Sequence, residues 1–456
     1  MQTVTCLTEM RTHIHSTTHR HKALSAAQFS ASHSYLLPTS CRLSPAREII
    51  HTINFDLSAL FAFNLVFMLA EEFLRPCAFI FEKIEKTSGG IMNWQTFFRK
   101  NLEVMKPYAP GLRASEVREQ TQCDEVLKIS SNENPYPPFP RALEAGAKIL
   151  CHLNRYPDGS SRDLKKRIAE KYHVPTENII VGNGSNELLI QIAESCLEPG
   201  DEVVYCWPSF IVYRIGCQLM GATPVEIPLT KDGAFDLNAV LAAITPHTKI
   251  VFLCNPNNPT GNIYGKDEFD AFMKEVPDHV LVCVDEAYAE YCLDEHFASA
   301  VSHFDGKRPL AILRTFSKIY SLAGGRVGFA LAPRELVEAL DKIREPFNTN
   351  TVGQAMAYYS LDDEAELKRR QRENDEARTL FTQTLDSLGL RYVPSHTNFV
   401  FVYFNDPEAV FEALLAHGII VRNFGGAKAL RIGIGTLKDT EKVIAALRDL
   451  KAKNLF

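Results

Sequence analysis

The chain predicts an α/β fold: a large domain built on a mostly parallel sheet covered by helices, with a smaller α+β domain after it. Three observations lead there. Short apolar runs recur at roughly regular intervals between residues 202 and 314, the pattern of strands buried on both faces. Helical stretches lie between several of them, as in βαβ units. From residue 362 the rhythm changes to one long charged helix and then short apolar segments.

In chain order, residues 161–172 read as an amphipathic helix with Ser161 as its cap. Residues 181–187 follow an apolar pair and precede a helical run, 188–196. The apolar runs are 202–205, 224–227, 249–254, 280–284 and 310–314. After the charged helix, 362 to about 388, come 392–393, 398–403, 419–422 and 430–433. This divides the chain into an atypical extension (1–91), an N-terminal arm with part of the small domain (92–145), a large domain (146–345) and a C-terminal small domain (346–456).

The extension differs in composition. Its first fifty residues are rich in Thr, Ser, His and Arg, with acids only at Glu9 and Glu48. Its apolar run, 57–70, is too short for a bilayer of ~30 Å. The break predicts that the working protein starts at Met92. The whole chain has 456 residues, 46% apolar and 23% charged, with net charge −6. That suits a globular protein, not a nucleic-acid or membrane partner. Its eleven cysteines form no CxxC pair, which predicts reduced thiols, a cytoplasmic setting and no metal centre.

Five segments carry chemistry. Gly182-Asn-Gly-Ser-Asn186 opens a helix, where free amides, Gly184 and Ser185 can approach an anion closely. Alone it reads as a plain glycine turn with a serine cap. Trp207-Pro-Ser-Phe210 ends a strand and can stack Phe210 on a flat ring. Asn255-Pro-Asn-Asn-Pro-Thr-Gly261 ends the next, where two prolines predict a stiff, extended loop and Asn258 can donate its amide. Val284-Asp-Glu-Ala-Tyr288 puts Asp285 at a strand end, where a buried carboxylate needs a cation such as a protonated pyridine nitrogen. Thr315-Phe-Ser-Lys318, with Arg326 beyond it, suits an aldehyde cofactor bearing a phosphate. The lysine amine can condense with the aldehyde, while the hydroxyls of Thr315 and Ser317 and the guanidinium hold the dianion. Read singly, Lys318 is as well a solvated surface lysine and Asp285 a helix cap; the order of all five makes chance assembly improbable.

This ordered set strongly resembles the fold-type I, class I/II pyridoxal-phosphate aminotransferases over about residues 92–453. The match is closest to the histidinol-phosphate aminotransferase family, through Ser131-Asn-Glu-Asn-Pro-Tyr136, Asn154-Arg-Tyr-Pro-Asp158 and the block from Thr315 to Phe329. The resemblance implies a seven-stranded sheet, pyridoxal 5′-phosphate as cofactor, and L-histidinol phosphate and 2-oxoglutarate as substrates. It implies Lys318 as the cofactor-bearing base, Asp285 on the ring nitrogen, and Asn258 and Tyr288 on the ring oxygen. Phe210 stacks on the ring. Gly184, Ser185, Asn186, Thr315, Ser317 and Arg326 hold the phosphate, with Tyr156 reaching it from the partner of a homodimer. Arg431 grips the α-carboxylate, Arg422 and Tyr136 contact the phosphate end of histidinol phosphate, and Asn398 shapes the pocket.

Two departures stand at the substrate's far end and in the lysine block: the loop 423–429 is short, and Gly325 replaces the family's usual leucine. An aromatic aminotransferase, a threonine-phosphate decarboxylase and a non-catalytic binding protein of the same fold are the competing readings.

Overall fold

The computed structural model describes residues 94–456 apart from 109, 110, 122, 124 and 298. The expectations about residues 1–91 and a start at Met92 lie outside the described residues.

Thirteen strands are described: β1 (Leu127–Lys128), β2 (Ile179–Gly182), β3 (Glu202–Trp207), β4 (Thr223–Pro228), β5 (Thr248–Cys254), β6 (Leu281–Asp285), β7 (Leu310–Thr315), β8 (Gly328–Leu331), β9 (Tyr392–Val393), β10 (Phe399–Tyr403), β11 (Ile419–Ile420), β12 (Arg422–Phe424) and β13 (Ala429–Gly433). The helices used below are α1 (Pro140–Ile149), α2 (Arg162–Tyr172), α3 (Ser185–Cys196), α4 (Val212–Met220), α5 (Thr351–Ser360), α6 (Glu364–Leu388), α7 (Pro407–Ala416) and α8 (Leu437–Ala452).

The large sheet has seven strands in the order β2-β8-β7-β6-β5-β3-β4. Strands β4, β3, β5, β6 and β7 pair in parallel, and β8 is antiparallel to both its neighbours. The seven-stranded, mostly parallel sheet expected from the resemblance is therefore present. Strands β2, β6, β7 and β8 are buried at nearly every position, which explains why their sequences show apolar runs without alternation. Because β8 runs against its neighbours, β2 points the same way as the parallel strands. The carboxyl ends of β2, β3, β5, β6 and β7 thus open on one edge, where the chemistry-bearing loops sit.

The smaller sheet is antiparallel, in the order β12-β13-β10-β9, while β1 pairs with β11 in parallel. Its core joins residues of α6, α7 and α8 to β10, β11 and β13. Helix α6 starts where Asp363 accepts the Glu366 amide and ends where Gly389 turns left-handed at φ 70°.

The core around the large sheet draws residues from both sides of the stretch 146–345. Phe139 and Ala142 before residue 146, and Ala357 and Leu361 after 345, belong to the core around the large sheet. Helix α5 packs on α1 and α2, which keeps it with that layer. Ser161 differs from expectation. It lies left-handed at φ 49° and makes no side-chain cap bond; Asp158 instead accepts the amides of Ser160 and Arg162. A carboxylate one residue from the proline turn reaches both amides, so the serine is not needed as cap.

Candidate active site

The β2–α3 turn is shaped by one glycine. Gly184 sits at φ 86°, ψ 158°, a conformation essentially reserved for glycine, and a Cβ on it would lie 2.5 Å from Arg326 Nη2. The guanidinium therefore lies against the backbone that opens α3. Arg326 donates to Ser317 Oγ (3.4 Å), Ala323 O (3.1 Å) and Asn183 O (3.3 Å). Thr315 Oγ1 donates to Ser317 Oγ at 3.0 Å and accepts the Ser317 amide at 3.1 Å. Ser185 and Asn186 are the first residues of α3, so their amides have no intrahelical partner. A guanidinium, two hydroxyls and a helix N-terminus converge here with no carboxylate among Arg326's hydrogen-bond acceptors. That is the donor set of a phosphate dianion.

Adjacent carboxylates divide their work at the end of β6. Glu286 turns into the protein, where its oxygens take Arg314 Nη2 at 2.5 Å, the Ala300 amide at 2.6 Å and Ser299 Oγ at 2.7 Å. Asp285, 3% exposed, faces the strand ends, holding Tyr213 Oη at 3.0 Å and the Ala287 amide at 3.1 Å. Burial pushes its carboxyl up to about 6, opposed by those two donors and by the charge of Lys318. A cation delivered to this point would stabilise its ionised form.

Lys318 follows β7. Its Nζ donates to Ser131 O at 3.3 Å and lies 5.4 Å over the Tyr288 ring. Burial, then the Arg431 charge, pulls its amine down to about 8, which makes the neutral nucleophile accessible near physiological pH. Tyr288 is buried; its Oη accepts Asn132 Nδ2 at 2.9 Å, and burial holds its pKa well above the usual phenol range.

Small-domain strands bring two arginines to the same place. Arg422 and Arg431 are directly opposed Cα partners on β12 and β13. Like charges at such positions repel, and an anion between them relieves the repulsion. Arg431 is 7% exposed, donates to Asn258 Oδ1 (2.5 Å) and Ser130 O (2.6 Å), and leaves Nε without a partner. Burial pulls its pKa down to about 10, with Arg422 adding to the effect and Tyr288 opposing it. Asn258's carbonyl is thereby occupied, and its amide is left to donate elsewhere.

Phe210, expected to cover a ring, is partly buried and edge-on to Tyr213 at 5.9 Å. Asn398 is buried and donates to Asn132 O at 3.1 Å, fixing the segment that carries Ser131. Residues 255–261 form turns rather than the expected extended run, because Asn257 O accepts the Gly261 amide and Asn257 Nδ2 donates to Thr260 Oγ1. Tyr156 stands apart, 81% exposed and stacked on Phe347 at 4.6 Å. Tyr136 stands beside α6. Arg369 and Arg370 of α6 lie 5.0 and 5.5 Å over its ring, and burial with a Glu373 hydrogen bond pushes its pKa up to about 12. The aromatic over Arg422 is Tyr108, at 5.8 Å.

Two residues of the site, Tyr108 and Tyr213, escaped the sequence reading. Tyr213 lies three residues after Phe210, a spacing that could have placed both on one side of the turn that leads into α4. Tyr108 carried no comparable signal. Among the described residues, no cluster of His, Cys, Asp and Glu is arranged to hold a metal, and no helix is long and apolar enough to cross a membrane.

The residues present fit a phosphorylated pyridine aldehyde: an anion cradle at α3, an amine of lowered pKa, and a buried carboxylate that a ring cation would stabilise. Comparisons with known proteins point the same way. A family model described as aminotransferase class I and II matches residues 124–447. A histidinol-phosphate aminotransferase of Moorella thermoacetica is 43% identical over 359 residues, covering 78% of this chain and 93% of that one. One from Brevibacillus brevis is 41% identical over 347 residues, covering 75% and 95%. Among solved structures, histidinol-phosphate aminotransferase from Sinorhizobium meliloti in complex with pyridoxal-5′-phosphate matches with a TM-score of 0.72 at 27% identity, covering 79% of this chain and 98% of that one.

Proposed function

This chain belongs to the class I and II aminotransferases, and from that premise we propose that it transfers the amino group of L-histidinol phosphate to 2-oxoglutarate, yielding imidazole-acetol phosphate and glutamate in histidine biosynthesis. The observation that carries the substrate reading is the opposed pair Arg422 and Arg431, the latter close enough to Lys318 to lower its pKa. Two guanidiniums on one sheet face can accept the phosphate of one substrate and the carboxylates of the other.

Pyridoxal 5′-phosphate, when bound, supplies an aldehyde to carry the amino group and a ring that withdraws electrons from the substrate carbon. The chain's residues supply the rest. Lys318 Nζ would anchor the aldehyde, and its amine would move the proton at the substrate Cα. Asp285 would hold a proton on the ring nitrogen. Asn258 and Tyr288 would stand by the ring oxygen, and Phe210 would cover the ring. Gly184, Ser185, Asn186, Thr315, Ser317 and Arg326 hold the phosphate. Arg431 binds carboxylate, and Arg422 with Tyr108 binds the far phosphate, while Asn398 holds the 131–134 segment against them.

The enzyme acts as a homodimer in which Tyr156 of each subunit reaches the phosphate site of the other; the exposure of Tyr156 supports this. The described cysteines are all free, which supports a reducing, cytoplasmic setting.

A panel of amino donors with 2-oxoglutarate tests the reading. Histidinol phosphate should give the highest kcat/KM by at least about tenfold, the order one phosphate–guanidinium contact contributes. Preference for phenylalanine or tyrosine would instead make this an aromatic aminotransferase, and carbon dioxide release from threonine phosphate would make it a decarboxylase.

A further inference from the structure

Tyr213 is fully buried and has no role in the assignments above except through what it touches. Its ring stacks on Phe252 at 4.7 Å and 9°, and meets Tyr205 and Phe210 edge-on at 6.0 and 5.9 Å. Those three rings restrict where the phenol can point, and its Oη meets Asp285 Oδ2 at 3.0 Å. A buried phenol in this position can only donate to the carboxylate, since an ionised aspartate is acceptor-only. Burial keeps Tyr213's own pKa well above the usual phenol range, so it stays a donor at any working pH.

We propose that Tyr213 is a positioning residue which, by donating to Asp285, biases the proton shared between Asp285 and the cofactor's ring nitrogen toward the nitrogen. The inference rests on the cofactor reading above. The chemistry is a competition for one proton. Carboxylate and pyridinium, or carboxylic acid and pyridine, carry the same number of protons; only the proton's position differs. In a dry site the neutral pairing is favoured, and burial already pushes Asp285 toward it. A phenol hydrogen bond stabilises the ionised carboxylate and opposes that drift. The other groups facing Asp285 are the Ala287 amide, which also stabilises the charge; Lys318, whose ammonium does so only while protonated; and Cys254 of β5, a buried thiol paired in register with Asp285. Neighbouring Glu286 is turned onto Arg314. Tyr213 is thus the side chain that supplies a donor to the carboxylate regardless of pH. The same residue also meets Phe210, the side chain proposed to cover the ring, edge-on.

The test uses the full-length holoenzyme loaded with pyridoxal 5′-phosphate carrying nitrogen-15 in the ring. In Tyr213→Phe the nitrogen resonance should move from the protonated toward the neutral-pyridine position, with kcat lowered about tenfold and KM little changed, the order expected for one hydrogen bond to a charged group. Replacing Tyr213 with a ring-fluorinated tyrosine, a stronger donor that keeps the ring in place, should shift the resonance the opposite way. It also serves if Tyr213→Phe does not fold. An unmoved resonance in either variant overturns the proposal, even if kcat falls, because a merely structural role would lower activity without relocating the proton. Failure of the unaltered protein to bind the labelled cofactor overturns the cofactor reading itself, and the proposal with it.

Discussion

Gly184→Ala puts the phosphate cradle to a quantitative test. The glycine's φ of 86° and ψ of 158° place it in a region that costs a side-chain-bearing residue on the order of 1–3 kcal/mol. The added Cβ would also sit 2.5 Å from Arg326 Nη2 and 3.2 Å from its Cζ, so the guanidinium must swing away from Ser317. A charge-assisted contact of arginine with phosphate contributes about 1.5–3 kcal/mol, hence cofactor affinity should fall roughly ten- to hundredfold. Urea denaturation of the cofactor-free protein reads the first effect, and titration with pyridoxal 5′-phosphate followed by tryptophan fluorescence reads the second. Because both changes act on one guanidinium, Gly184→Ala combined with Arg326→Ala should weaken binding no more than Arg326→Ala alone. Unchanged affinity in the single variant, or fully additive losses in the double one, would mean that Arg326 does not hold the phosphate from its place against Gly184.

Other expectations follow from the same geometry. Asp285→Ala should lower kcat at least about a hundredfold, since no other described residue is assigned to the ring nitrogen; steady-state assay with saturating cofactor checks this, and an unchanged rate contradicts the role. Arg422→Ala should cost histidinol phosphate about tenfold or more in kcat/KM and glutamate less, and equal losses for the two would point to a general role. The amine of Lys318 is pulled down to about 8 and must be neutral to attack an aldehyde, so cofactor attachment should speed up as pH rises through about 8 and level off above it. Arg431→Met removes a charge that lowers that pKa, so the midpoint should move to higher pH; rapid mixing of the cofactor-free protein reads both.

Much of the fold was legible because strands buried on both faces have unbroken apolar sequences, as 250–254 and 310–313 do. Strands β2 and β8 were not read as such: each is four residues long, too short for periodicity to register, and β8 follows the lysine loop directly. The site residues at strand ends were legible for a topological reason. Residues such as Asp285 and Lys318 come from the ends of parallel strands and the loops after them, and parallel strands must deliver their loops to one edge. The small-domain arginines were harder, since their juxtaposition depends on the antiparallel register of β12 and β13, which spacing alone does not fix. Tyr108 left no signal in the sequence for a related reason. Which tyrosine of the arm meets Arg422 is decided by long-range packing, in which Arg370 holds Tyr136 and Pro137 against α6.

Every role assigned to these residues depends on the covalent chemistry of one amine, and borohydride reduction of the cofactor-loaded protein reads it directly. Peptide mapping by mass should find a pyridoxyl group on Lys318 and nowhere else, and Lys318→Ala should bind the cofactor without retaining it after reduction. A pyridoxyl group on another lysine, or none in the unaltered protein, would show that Lys318 is not the amine that carries the cofactor.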